Sequence, residues 1–141
     1  MALTSAARLR LTLLTSRGNK EVFAGECACL KVETIDSVLG TVAENADIAS
    51  MTVSLYDKST KKYINGRSSV SIGTPTATQY VGLNAEDNVV VSTAAGARPS
   101  ANSLQTHVLR VTVGYTGPGG GVDLAIEEIE FPVRNSLTPA T

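Results

Sequence analysis

The strongest constraint on the fold of this chain is an alternation of polar and apolar residues that repeats in short segments. It is clearest in residues 107–115 and returns, after the glycine-rich residues 116–121, in residues 122–133. Successive side chains of a β-strand point to opposite faces, so a period of two predicts strands with one buried side. A glycine-rich link between two such segments predicts a hairpin.

The same alternation predicts further strands in segments bounded by turn residues. These segments are residues 8–15, 20–33, 50–57, 62–65, 69–72, 79–83 and 89–91. About eight or nine short strands without a long amphipathic helix are typical of a β-sandwich or barrel. Aromatic residues make up only 4% of the chain and tryptophan is absent, so the core has to be aliphatic. We therefore predict an all-β, antiparallel β-sandwich.

The 141 residues fit a single domain, because a chain of this length can bury one core. The most regular pattern covers residues 48–133. Residues 1–20 form a basic strand or arm before it, and the small, polar residues 93–103 form a long loop within it. Loops of this length often carry function or assembly contacts.

The last predicted strand has an imperfect phase. One face holds Leu124 and Ile126, whereas the other holds Ile129, Phe131 and Val133. A β-bulge near Glu127–Glu128 would bring both groups to the same face, so we predict one there. Pro132 has no N–H group to donate to a neighbouring strand and predicts that this strand lies at an edge or is ending.

Charge is balanced overall but unevenly distributed. The formal net charge is −1, which gives no basic field to attract nucleic acid. Residues 1–20 contain no acid and carry four cations: Arg8, Arg10, Arg17 and Lys20. Residues 121–134 carry four acids against one arginine: Asp123, Glu127, Glu128, Glu130 and Arg134.

Two interpretations of this segregation stay open. The basic and acidic segments form solvated strands that are neighbours in one sheet, or the basic arm binds an acidic surface on another copy or partner. The second interpretation makes Arg8, Arg10, Arg17 and Lys20 partner-binding residues, together with Arg98 in the long loop. The basic turn with Lys58, Lys61 and Lys62 is expected to be solvated, with a contact to an acidic partner as the alternative.

Candidate catalytic groups each lack a necessary companion. Nucleophilic catalysis needs a base beside the nucleophile, and the single histidine, His107, is expected to be a strand-end side chain. Glu128 and Glu130 could form a carboxylate pair, but their place on a strand favours an acidic edge that discourages unwanted pairing. Residues 117–121 lack the Lys-Ser/Thr of a phosphate loop and predict a hairpin turn. We expect no enzymatic activity.

The two cysteines, Cys27 and Cys29, are expected to be small apolar residues on one strand face. Residues two apart in a strand have Cα atoms nearly 7 Å apart, beyond comfortable disulfide geometry. A metal site would need further ligands, and the histidine lies far away in sequence. We therefore expect neither a metal nor a cofactor.

No stretch of about 18 apolar residues predicts a membrane span. The first 14 residues contain Arg8 and Arg10 within their apolar part, which is atypical of a signal peptide. We expect the protein to be made and kept, at least at first, in a cytoplasm.

Two segments resemble the immunoglobulin-like domains of structural proteins in tailed bacteriophages. One is the strand-turn-strand Val-Ser-Leu-Tyr-Asp-Lys-Ser-Thr-Lys-Lys at residues 53–62. The other is the closing hairpin at residues 108–133, with a Val-Thr-Val strand, a glycine-rich turn and a final Glu-Phe-Pro-Val. The resemblance covers residues 48–133 and leaves residues 1–47 unmatched.

This resemblance implies an immunoglobulin-like sandwich and a non-enzymatic virion component, made in the host cytoplasm. A capsid decoration protein is expected first, with a neck or tail protein as an alternative. Its partners would be itself, as a homo-oligomer, and other virion proteins, contacted through residues 1–20 and 93–103. Neither nucleic acid nor membrane is an expected partner. A bacterial surface or adhesion module and a small-ligand or carbohydrate-binding sandwich are the other classes considered.

Overall fold

The structure is a computed structural model that describes residues 3–15, 22–23, 28–64, 66–83 and 104–134. Arg17, Lys20, Cys27 and Arg98 lie outside these residues, as do the predicted strand 89–91 and the predicted loop 93–103. No helix among the described residues is long and apolar enough to cross a membrane.

Eight strands and one short 3-10 helix account for the regular structure of the described residues. The strands are β1 Ala7–Thr15, β2 Val22–Phe23, β3 Ala28–Asp36, β4 Ile48–Asp57, β5 Val70–Ser71, β6 Thr78–Leu83, β7 Leu104–Thr116 and β8 Val122–Arg134, and the 3-10 helix is Asn45–Asp47. The predicted all-β class is confirmed.

The strands form two sheets. One has three strands in the order β1-β3-β6, and the other has five in the order β2-β8-β7-β4-β5. All pairings are antiparallel except that of β2 with β8. The arrangement is consistent with a β-sandwich in which β1, an edge of the small sheet, lies along β8. The sandwich therefore begins at β1, well before the region 48–133 that had the most regular pattern.

Both sheets contribute aliphatic side chains to a shared core, as the scarcity of aromatic residues predicts. Leu9 and Leu13 of β1 are buried, together with Val32 of β3, and they pack in the same cluster as Val111 of β7 and Phe131 of β8. Fully burying one such side chain contributes about 1.5–3 kcal/mol. The basic segment at residues 7–15 is thus held in the sandwich by its apolar face.

The predicted hairpin is confirmed, and its register is continuous from Leu104–Arg134 to Thr116–Val122. The Gly117 N–H donates to the Gly121 carbonyl at 2.9 Å, and Gly120 has a φ of 85°, a conformation that favours glycine. The predicted bulge near Glu127–Glu128 is wrong. The one register shift in the pairings of β7 lies elsewhere, between Ile48 and Ser50 of β4.

Without a bulge, the apolar residues of β8 stay on two opposite faces. Ala125, Phe131 and Val133 point into the core, whereas Leu124 and Ile126 are exposed. The prediction failed because it assumed that every apolar strand residue is buried, and a folded surface always retains some apolar side chains.

Asp36 ties the start of the chain to the end of β3. Its carboxylate accepts hydrogen bonds from the Thr4 and Ser5 hydroxyls and from the backbone N–H groups of Thr4, Val38 and Leu39. These hydrogen bonds hold the pKa of Asp36 far below its usual value, and the one from the Leu39 N–H has the largest effect.

Candidate functional site: the outer face of the five-stranded sheet

The outer face of the five-stranded sheet carries an exposed apolar stripe at the start of β8. The apolar stripe consists of Val122, Leu124 and Ile126, whose exposed fractions are 64%, 65% and 57%. Alternate residues of a strand share a face, so these three side chains project from the same side. Scattered single apolar residues are ordinary on a protein surface, whereas three in a row on one strand make this stripe a candidate contact surface.

The strands beside the apolar stripe carry no charge next to it. On β7, Thr112 pairs with Ile126, Gly114 with Leu124 and Thr116 with Val122. On β4, the partners of Thr112 and Gly114 are Thr52 and Ser50. This part of the face is therefore neutral and has only small side chains.

Gly114 keeps the neighbourhood of Leu124 flat. A Cβ atom at position 114 would lie 2.5 Å from the Ser50 Oγ, which would have to move away. Leu124 consequently has no β7 side chain directly beside it, and the Ser50 Oγ of β4 lies over Gly114 instead.

The second half of β8 carries charge on the same face, and this charge is paired. The Arg110 Nε donates to the Glu128 Oε2 at 2.9 Å, and the Tyr56 hydroxyl donates to the same oxygen at 2.6 Å. The Lys58 Nζ lies 2.8 Å from the Glu130 Oε1. Ion pairs this exposed contribute about 0–1 kcal/mol each.

The pairing changes the acidity of the groups involved. The hydrogen bond from Tyr56, and then that from Arg110, hold the pKa of the Glu128 carboxyl below its usual value. The same hydrogen bond to Glu128 raises the pKa of the Tyr56 phenol. Glu128 is therefore an ionised acceptor occupied by two donors, which is poorly suited to act as a general base.

A small open pocket of about 260 Å³ lies on this charged part of the face. Tyr56, Lys61, Tyr63 and Arg110 line it. Two phenol rings beside an ammonium and a guanidinium group can bind an anion or a flat ring, but they supply no activated nucleophile. The volume is below the range of about 300–1,000 Å³ that is usual for drug-sized ligands.

Several hydrogen bonds close the turn next to this pocket. The Asp57 carboxylate accepts from the Ser59 hydroxyl and from the Ser59 and Thr60 N–H groups, and the Lys61 N–H donates to the Asp57 carbonyl. Lys61 itself has a φ of 60°, which glycine or asparagine would adopt more readily. Lys61 and Lys62 are exposed, in agreement with the expected solvated turn, whereas Lys58 is bound to Glu130.

Two of the predicted partner-binding residues lie on the opposite sheet. Arg8 is exposed on the outer face of β1. Arg10 donates two hydrogen bonds of 2.9 Å to the Glu33 carboxylate on the facing residue of β3. The hydrogen bond from Arg10 holds the pKa of the buried Glu33 below its usual value. Arg10 is thus bound within the chain, and Arg8 is the described member of the predicted set that faces solvent without such a partner.

The basic and acidic strands are not neighbours in one sheet. Both segments form strands with exposed charges, as that interpretation expects, but β1 belongs to the three-stranded sheet and β8 to the five-stranded sheet, so their predicted pairing as neighbours in one sheet is wrong. The reason is that the acid opposite Arg10 is Glu33 of β3, which pairs with β1 across its full length.

His107 is buried inside β7 and is not at a strand end as predicted, because the strand begins earlier, at Leu104. Its ring meets that of Phe131 edge-on, with centroids 5.9 Å apart. Burial lowers the pKa of His107 to about 4, so the imidazole is neutral near pH 7.

Within the described part of the chain, no three His, Cys, Asp or Glu side chains form a group that could hold a metal ion. Cys29 is a half-buried free thiol, and burial raises its pKa, which makes it a weak nucleophile.

Comparison with protein-family models, with curated proteins and with solved structures gives no match. The immunoglobulin-like resemblance therefore stays a prediction. The apolar stripe was missed by the sequence analysis, although the out-of-phase Leu124 and Ile126 were a signal of it.

Proposed function

We propose that this protein is a non-enzymatic structural subunit of a bacteriophage particle that binds neighbouring subunits, first of all as a capsid decoration protein. The observation that carries the proposal is the apolar stripe of Val122, Leu124 and Ile126. A stripe of this kind lowers solubility in an isolated domain and becomes favourable when a neighbour covers it. The assignment to a phage particle rests on the resemblance of residues 48–133.

The energy available from the stripe suits assembly. Burying each side chain completely contributes about 1.5–3 kcal/mol, and the three start more than half exposed. Part of this gain is lost to the entropy of association, so one stripe alone supports a weak contact. Repetition of a weak contact in a lattice provides strong overall attachment.

Particle binding tests the proposal. The wild-type protein is mixed with particles of the phage that encodes it and sedimented through a density gradient. We expect it to co-sediment with particles, and we expect Leu124→Lys to lose most of this binding. Leu14→Lys is the matched control, because Leu14 is exposed on the outer face of the other sheet, faces the uncharged Cys29 and should tolerate the same charge. A wild-type protein that stays at the top of the gradient would contradict the proposal.

The pocket supports a second candidate, a module that binds a small anionic ligand. Its support is the grouping of Tyr56 and Tyr63, two of the four tyrosines of the chain, with Lys61 and Arg110. Calorimetric titration with small anions would test it, with Tyr63→Ala expected to abolish binding. This candidate fails if wild type and Tyr63→Ala bind every anion equally weakly.

A further inference from the structure

We propose that two copies of this protein join edge to edge through β8, antiparallel, about a two-fold axis that passes beside Leu124. The two five-stranded sheets then become one continuous sheet, and the two apolar stripes merge on its outer face. This inference rests on the proposed function, since it names a second copy as one of the neighbours that the protein binds.

Within the described residues, one edge of β8 has no hydrogen-bonded strand along its first part, although β1 of the other sheet lies along β8. On one side β8 pairs with β7 over its whole length, and on the other side it pairs with β2 only at Val133 and Arg134. No other described strand pairs with residues 122–132 on that side. Such an edge presents unpaired N–H and C=O groups that can add a further strand.

Most of the protection against pairing lies in the second part of the strand. Natural edge strands avoid self-association through charges, prolines or covering segments. β8 has Glu127, Glu128, Glu130 and Pro132 in its second half, and β2 covers its end. Residues 122–126 contain one acid, Asp123, and otherwise only apolar residues. The less protected part of the edge is therefore the part that carries the apolar stripe.

Charge selects the register of the pairing. Residues that face each other across a two-fold antiparallel pair share a face, so the axis lies beside a single residue that faces its own copy. An axis at Asp123, Glu127 or Glu128 places a carboxylate opposite itself. An axis at Ala125 places Asp123 opposite Glu127 of the second copy. An axis at Ile129 places Glu128 opposite Glu130 of the second copy.

Among the axes at residues 123–129, those at Leu124 and Ile126 avoid facing acids, and one of the two fits better. An axis at Ile126 places the apolar Leu124 opposite the carboxylate of Glu128 of the second copy. This carboxylate is already held by Tyr56 and Arg110 of its own chain. An axis at Leu124 places Leu124 opposite itself and Val122 opposite Ile126. It also places Asp123 opposite Ala125, a small neutral residue. Only this register faces apolar residues with apolar residues across the whole outer face of the joint.

Cysteine cross-linking tests both the contact and its register. In a background with Cys27 and Cys29 changed to serine, Leu124→Cys should form a disulfide with its own copy. Directly facing residues have Cα atoms about 4.5–5.5 Å apart, within disulfide range. On non-reducing gels the mass should double from 14.7 kDa under mild oxidation.

Two further variants fix the register. Ile126→Cys alone should give no disulfide-linked dimer, because the two copies of residue 126 lie four residues apart along the joint, or about 13 Å. A mixture of Val122→Cys and Ile126→Cys should form a cross-linked dimer. Thr12→Cys, exposed on the other sheet, measures random collision and should give no dimer.

The results separate this inference from the proposed function. Cross-linking of Ile126→Cys with itself but not of Leu124→Cys would overturn the register, and absence of cross-linking in every variant would overturn the edge contact. Loss of particle binding in Leu124→Lys without any cross-linking would leave the proposed function standing and this inference refuted. Cross-linking by Leu124→Cys, with no wild-type binding to particles, would support this inference and refute the proposed function.

Discussion

The two halves of β8 have the same strand geometry but differ in how their apolar side chains are buried. Residues 127–134 bury Phe131 and Val133 beneath paired charges and are covered at their end by β2. Residues 122–126 bury only Ala125 and expose the apolar stripe. The second half therefore contributes to the core, whereas the first half carries the surface that we propose as a contact. The comparison shows that a strand with a regular backbone can differ along its length in how much apolar surface it buries.

The largest expected difference between the halves is in stability. Phe131→Ala should lower the free energy of unfolding by about 3–5 kcal/mol, because it removes a large buried ring from the core. Leu124→Ala should change it by less than about 0.5 kcal/mol, because Leu124 is 65% exposed. Urea denaturation of both variants at low protein concentration measures the two values. Similar losses of unfolding free energy in Phe131→Ala and Leu124→Ala would contradict this difference between the two halves of β8.

A smaller effect concerns His107, which packs against Phe131 beneath the second half of β8. Its pKa is lowered from 6.5 to about 4 in the folded protein, so the unfolded chain takes up the proton first. The contribution of His107 to the free energy of unfolding is therefore fully present above pH 6.5. It is lost as the pH falls towards 4, and the loss amounts to as much as about 3 kcal/mol.

Urea denaturation between pH 7 and pH 4.5 measures this loss, with His107→Gln as the control that does not titrate there. The carboxyls with lowered pKa values, such as Asp36, lose their stabilising contribution mainly below this range. If the free energy of unfolding fell equally with pH in wild type and in His107→Gln, His107 would not be the titrating group.

The smallest effect is expected at the paired charges. Glu128→Gln should destabilise the protein by no more than about 1 kcal/mol, since its ion pair with Arg110 is exposed. It should also lower the pKa of the Tyr56 phenol, which the Glu128 carboxylate now raises. Ultraviolet titration of tyrosine follows this change, and Asp123→Asn in the first half is the matched control. A Tyr56 phenol pKa unchanged by Glu128→Gln would contradict the hydrogen bond.

The class of fold was predictable because it depends on local periodicity. The hairpin of β7 and β8 follows from two alternating segments and a glycine-rich turn, and the structure confirms it. The aliphatic core follows from composition. These features need no knowledge of which strands meet in space.

Features that depend on distant pairing were not predictable in the same way. Arg10 and Glu33 face each other because β1 pairs with β3 in one particular register, which the basic segment alone does not specify. The pocket is lined by the end of β4, by the residues that follow β4 and by Arg110 in the middle of β7. These residues come together only because β4 and β7 pair in the sheet. In the sequence, the apolar stripe appeared as a break in the alternation of apolar residues along residues 122–133. A bulge explained that break equally well.

The central claim is that the first half of β8 is a contact surface between two copies of the protein, and the mass of the protein in solution tests it most directly. Sedimentation equilibrium over a range of concentrations should show wild type rising from 14.7 kDa towards twice that mass. Leu124→Lys should remain at 14.7 kDa, whereas Leu14→Lys, on the outer face of the other sheet, should follow wild type. A wild-type protein that stays monomeric at every concentration, or a Leu124→Lys variant that associates equally well, would contradict the claim.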